Sequence, residues 1–172
     1  KVLFLILLMT LMLPGAVLLI PKFVFFSRLG WINTFNPLII PAWFGEAYAI
    51  FLFRQFFLSL PRELEESAII DGANIFQIIT RIIIPLSIPV YAVITIFSFR
   101  DIWNDFMGPL LYLSSLEKYT IAVGLAFFSG QYTSEPQLQM AASVVFTIPI
   151  ILLFFFAQRA FVEGIQMTGL KG

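Results

Sequence analysis

The chain contains no histidine and no cysteine, and only 12% of its 172 residues are charged. Without those two residue types there are no disulfides, no Cys/His zinc sites, no thiol nucleophiles and no histidine-based triads. Ten basic residues balance ten acidic ones, so no electrostatic footprint for nucleic acid exists. What fills the space is apolar: 60% of the residues are hydrophobic and 21 are Phe. Soluble domains run nearer 45–50% apolar and about 25% charged, and a water-soluble globule of this length has too little interior to hide the excess. A soluble enzyme is excluded. The first residue is Lys1, and an apolar run follows at once, so the sequence reads as part of a longer polypeptide.

A membrane-spanning helix needs roughly 20 mostly apolar residues. Four stretches qualify, at about 2–20, 38–57, 82–103 and 136–158. The first carries no charge between Lys1 and Lys22, and Pro14-Gly15 should kink it. It exceeds the 7–15-residue core of a signal peptide and no small-residue cleavage site follows it. The second contains Glu46 and Arg54, but ten Leu, Ile or Phe residues outweigh one off-centre carboxylate and a guanidinium able to snorkel. The stretch from Tyr119 to Ser134 has two glycines and several polar residues, and reads as an interfacial or partly inserted helix. The expected fold is all-α, a polytopic transmembrane bundle of four spans. Lysine and arginine placement gives a weak bias that puts 59–81 and the tail 160–172 in the cytoplasm and 107–135 outside.

The segment between the second and third spans holds four of the ten acids within nine residues: Glu63, Glu65, Glu66 and Asp71. Ser59 suits an N-cap, Pro61 a first turn, and the glutamates the positive end of a helix dipole. Gly72 should end that helix, with a second helical piece running on to Pro85. A solvated connecting loop is the plain alternative. Against it stands the order of the residues: a small face of Ser67, Ala68, Gly72 and Ala73 beside fixed charges suits docking into a groove on another protein.

The run Glu66-Ser67-Ala68, three residues, Gly72, nine residues, then Ile82-Ile83-Ile84-Pro85 resembles the EAA loop of ABC-importer permeases. Ser67 and Ile84 depart from the family's alanine and leucine. Phe53-Arg54-Gln55-Phe56-Phe57, Trp103-Asn104-Asp105-Phe106 and Tyr119–Leu125 are similar to the carbohydrate-importer branch, as is the ending from Gln158-Arg159-Ala160 to Gly172. The resemblance covers essentially the whole chain and points to the second permease subunit of maltose-type importers, without its first two spans.

The resemblance implies a permease with no chemistry of its own and no cofactor or metal bound directly, ATP being hydrolysed by a partner. The 59–81 loop would be a coupling helix docking on the cytoplasmic ATP-binding subunit dimer through Glu66, Ser67, Ala68, Asp71 and Gly72. Tail residues Gly169 and Lys171 would reach the same subunit. Gln131 and Tyr132 would face an extracytoplasmic solute-binding protein, and Asn104 and Asp105 would lie near the substrate path. A second permease subunit completes the pathway, in the cytoplasmic membrane of a bacterium or archaeon. An importer for another small solute, or a fragment of a secondary transporter or channel, is the alternative. An intramembrane enzyme lacks convergent groups, Asp101 and Asp105 at i, i+4 coming nearest.

Overall fold

The computed structural model describes residues 2–128 and 136–169, with side chains described as far as 156, and at 158. Every regular element among them is helical. In chain order these are α1 (Val2–Leu11), α2 (Gly15–Arg28), α3 (Asn36–Ile39), α4 (Ala47–Ser59), α5 (Glu63–Ile70), α6 (Ile75–Leu86), α7 (Ile88–Trp103), α8 (Met107–Tyr112), α9 (Ile121–Phe127) and α10 (Pro136–Gly169). Helix is the natural choice for so apolar a chain, because it satisfies backbone N–H and C=O groups within one segment and needs no water.

Two stretches, Asn36–Ser59 and Pro136–Phe156, are long and apolar enough to cross a membrane, and two bent pairs bring the number to four if each is one span. The bends are sharper than the sequence suggests. Between α1 and α2 the axis turns by 99°, because Pro14 adopts an extended conformation with ψ 130° where a kink was expected. α2 then runs on past Ile20 to Arg28, and that cation in its last turn suits the negative end of the dipole. The third stretch also divides, α6 meeting α7 at 64°. The 36–59 stretch is interrupted by a 3₁₀ turn at Pro41–Phe44 and by Gly45 at φ 82°. α10 continues to Gly169, so residues 160–169, read as part of a tail, are helical.

Two compact units result: one from the chain up to Ala47 together with Phe99–Leu152, the other from Tyr48–Ser98 with the chain from Leu153 on. In the first, Phe26 stacks on Trp31 and meets Tyr112 edge-on, with ring centroids 5.6 and 5.4 Å apart. Asn33 locks this cluster. It sits in the left-handed region at φ 60°, which Asn tolerates better than most residues. Its N–H donates to Tyr112 O at 2.7 Å, its Oδ1 accepts from the Ser114 and Ser115 amides, and its carbonyl accepts from Lys118 Nζ. One side chain thus ties the loop after α2 to the loop after α8. Elsewhere in this unit, Trp103 stacks on Phe146 and donates its indole N–H to the Phe146 carbonyl at 3.0 Å. That carbonyl adjoins the turn where Pro149, lacking an N–H, leaves the Val145 carbonyl without its helical donor.

In the second unit, α4 and α7 run antiparallel and are joined by ring pairs Tyr48–Phe97 and Phe53–Tyr91, at 6.4 and 4.7 Å. Little else is buried. The described apolar core amounts to Phe26, Ala68, Ile78, Tyr112, Leu113 and Val123, while Trp43 and Phe44 are more than four-fifths exposed. Surface of that kind marks contact with lipid or with other protein.

One buried group among the described residues is left over: the Thr120 hydroxyl at the start of α9 has no hydrogen-bond partner. An unsatisfied buried hydroxyl costs about 1–3 kcal/mol. Thr120→Val should therefore raise stability by about 1 kcal/mol, read as a higher thermal midpoint of the detergent-solubilised protein.

Candidate functional site

The acidic segment forms α5, eight residues with Glu63, Glu65 and Glu66 in its first turn. Its N-cap is Arg62, not Ser59, and no side chain caps it. Ser59 closes the preceding helix, its hydroxyl donating back to Phe56 O at 2.7 Å. The expectation failed because Ser59 is still inside α4, where a serine hydroxyl finds its own helix's carbonyl first. α5 therefore begins without a cap and depends on its three carboxylates to compensate the exposed N–H groups.

The other end of α5 is well closed. Gly72 lies at φ 80°, its N–H donates to Ile69 O at 3.0 Å, and Ala73 N–H donates to Ala68 O at 2.9 Å. These two bonds with a left-handed glycine are the Schellman closure of a helix. Two residues later the chain restarts: Asn74 accepts from the Gln77 amide and Gln77 Oε1 accepts from the Asn74 amide, each at 2.9 Å, a reciprocal capping box. α6 therefore begins one short turn after α5 ends, and the connection between them is held by four hydrogen bonds. Within α6, Ile79–Ile83 is π-helical. Ser87 then stands at the bend, 1% exposed, its hydroxyl donating to Ile83 O at 2.6 Å.

The expected docking residues divide. Glu66, Ser67, Asp71 and Gly72 are exposed, whereas Ala68 is turned into the chain at 7% exposure. Ser67 behaves as the small residue the pattern asks for, because its hydroxyl is spent on Leu64 O at 3.2 Å. Composition did not reveal the apolar residues standing beside the acids. Ile70 is 85% exposed, and Ile69, Ile75 and Phe76 are all more than half exposed. The alternation of apolar residues with Glu and Asp was the available signal, and it reads equally well as an inward face. The carboxylates of Glu63, Glu65, Glu66 and Asp71 make no ion pair with any described residue. The surface as built is a rigid acidic and apolar knob, able to present carboxylates to a guanidinium or ammonium while its isoleucines are covered.

Asn104 and Asp105 come together at the junction of α7 and α8, each with a backbone duty. Asn104 donates through Nδ2 to Arg100 O at 2.7 Å and closes α7. Asp105 accepts the Gly108 amide at 3.0 Å and opens α8. A side chain at Gly108 would collide with the Asp105 carboxylate, so glycine there keeps the carboxylate in place. Asp101 is held by Arg100 in an exposed pair at 2.7 Å. Gln131, Tyr132 and Lys171 lie outside the described residues, and Gly169 is the last residue of α10. Among the described residues no group of three or more acids is placed to hold a metal ion.

Residues 1–166 match the family model described as "Binding-protein-dependent transport system inner membrane component". The chain belongs to that family. Among similar proteins are the arabinooligosaccharides transport system permease protein AraQ of Halalkalibacterium halodurans, 37% identical over 98% of this chain and 60% of that protein, and the trehalose/maltose transport system permease protein MalG of Thermococcus litoralis, 36% identical over 87% of this chain and 55% of that protein. A solved bacterial ABC transporter involved in import of the acidic polysaccharide alginate has a chain of the same fold. It superimposes with a TM-score of 0.77 at 26% identity, over 94% of this chain and 61% of that one. The chain thus spans about 60% of the length of the AraQ relative. The all-α permease fold expected from the sequence is the fold of this family.

The closure of α5 yields a direct prediction. A Cβ added at Gly72 meets nothing within 4 Å, so Gly72→Ala should cost about 1–2 kcal/mol through the left-handed backbone alone. Hydrogen exchange at the Gly72 and Ala73 amides should accelerate accordingly, and Gly72→Asn should restore most of the protection.

Proposed function

We propose that this chain is the transmembrane permease subunit of an ATP-driven, binding-protein-dependent carbohydrate importer. In this role it carries out no bond chemistry and takes motion from a separate ATP-hydrolysing subunit. The observation that carries the reading is the knob formed by α5 and the start of α6. Its acids are without ion-pair partners among the described residues, its isoleucines stand exposed, and the turn between α5 and α6 is pinned by four hydrogen bonds. A docking element that transmits force must be stiff and must offer apolar area with charges at its edge; this one has both properties. The occupant of that surface in the proposal is a cytoplasmic ATP-binding subunit dimer, with Glu66 and Asp71 facing its basic groups and Gly72 permitting close approach.

Family membership supports the rest. A second permease would cover part of the exposed apolar surface and an extracytoplasmic solute-binding protein would deliver the cargo. The whole would lie in the cytoplasmic membrane of a bacterium or archaeon, and the tail beyond Gly169 would reach toward the ATP-binding subunit. Carbohydrate is the favoured cargo because the named relatives carry arabinooligosaccharides and trehalose or maltose. Alternating access would arise from tilting of the helices attached to the knob. The π-helical turn of α6 and the 64° bend after it stand on the route the motion would follow.

The test is a charge reversal. In the full-length protein purified with its ATP-binding partner, Glu66→Lys should lower co-purification and reduce substrate-stimulated ATP hydrolysis by about tenfold or more, as expected for loss of one charge-assisted contact. Glu117→Lys, placed on the other compact unit, should leave co-purification unchanged. Unaltered assembly and coupling in the Glu66 variant would remove the docking assignment.

A further inference from the structure

In the compact unit that contains α2 and α8, a cavity of about 340 Å³ lies between one face of α2, α3 with Pro41, and the α7–α8 junction. Lys22, Phe26, Leu38, Asp105, Met107 and Tyr112 are among the residues that line it. Its size is at the small end of ligand cavities, which run from about 300 to 1,000 Å³.

The lining combines opposite charges with apolar wall. An ammonium and a carboxylate both border the same space, yet Lys22 and Asp105 form no ion pair with each other. Asp105 spends one acceptor position on the Gly108 amide. An ionised carboxylate has about four lone-pair positions, so it can accept more. Tyr112 is buried and braced edge-on against Phe26. Burial first, and the Asp105 charge second, push its phenol above its usual value, so it stays a hydroxyl donor. Phe26, Leu38 and Met107 supply apolar wall between these groups. Donors and an acceptor set around apolar wall match a pyranose or furanose ring, whose hydroxyls project from an apolar C–H surface. The two lining charges are opposite, so the site carries no net charge to offset that of a uronate or an amino sugar, and a neutral ring matches it.

We propose that this cavity is a subsite for one neutral sugar residue, with Lys22 donating to it, Asp105 accepting from it and Tyr112 fixing its edge. The proposal rests on the carbohydrate-importer reading and adds a site to it. Asp105 thereby has two roles, opening α8 with one lone pair and holding cargo with the others.

The test uses the full-length transporter with its partner subunits, reconstituted in lipid. Labelling of Lys22 by a water-soluble acylating reagent is followed by mass spectrometry with and without arabinotriose or maltotriose, and saccharide-stimulated ATP hydrolysis is read on the same sample. Lys118, held by the Asn33 carbonyl and not among the residues lining the cavity, is the internal reference. The expected result is slower labelling of Lys22 alone when saccharide is present. Asp105→Asn keeps the oxygen that receives the Gly108 amide, and should require about tenfold more saccharide for the same protection. Stimulated hydrolysis without protection of Lys22 overturns the subsite and leaves the importer reading standing. A Lys22 that is unreactive in both conditions, as a protein segment lying over the cavity would make it, also overturns the subsite. Absence of both stimulation and protection overturns the subsite and the carbohydrate reading together.

Discussion

The structure depends on one constraint: in apolar surroundings every backbone N–H and C=O must find its partner inside the chain. Within a helix the condition is met automatically, so the telling places are where helices stop. At Gly30 and at Gly72 the chain uses the same device, a left-handed glycine that returns two amides to the last carbonyls. At Asn74, Asn104 and Asp105 a side chain takes over the work. Each place where a helix stops leaves backbone groups to satisfy, and these local closures take several of them up.

The same constraint explains where function can be built. Segments that leave the helical pattern must carry their own polar partners, and those partners are the charged and amide side chains that are scarce elsewhere. The knob at α5 and the junction at α7–α8 are both of this kind. In each, a residue that could bind something outside also holds the backbone locally, as Asp105 does for Gly108. Asn33 is the extreme case, since its peptide and side chain together join two loops about eighty residues apart in sequence.

Much of this was legible in the residues. The turn at Asp71-Gly72 and the helical restart before Pro85 follow from the glycine and the position of the proline, whereas the Asn74 cap emerged only in the structure. The family pattern was visible because its spacing is set by that same turn. What could not be read was the orientation of faces. Ala68 and Ile70 are two residues apart, and only the placed helix shows that the alanine is turned in and the isoleucine out. Nor did Pro14 announce a 99° turn, because a proline can kink or break a helix depending on whether neighbouring segments hold the freed carbonyls. Ser59 misled for a related reason: its hydroxyl satisfies a carbonyl behind it as readily as an amide ahead.

The π-helical turn at Ile79–Ile83 sets the angular phase of α6. In an α-helix each added residue rotates everything downstream by about 100° about the axis. A wider turn absorbs an additional residue locally, so the faces before and after it stay aligned. The knob and the span that follows Pro85 therefore keep their rotational setting through this one loose coil. Loss of a single residue inside it should be tolerated better than the same loss one turn earlier, where the phase of the whole span would slip.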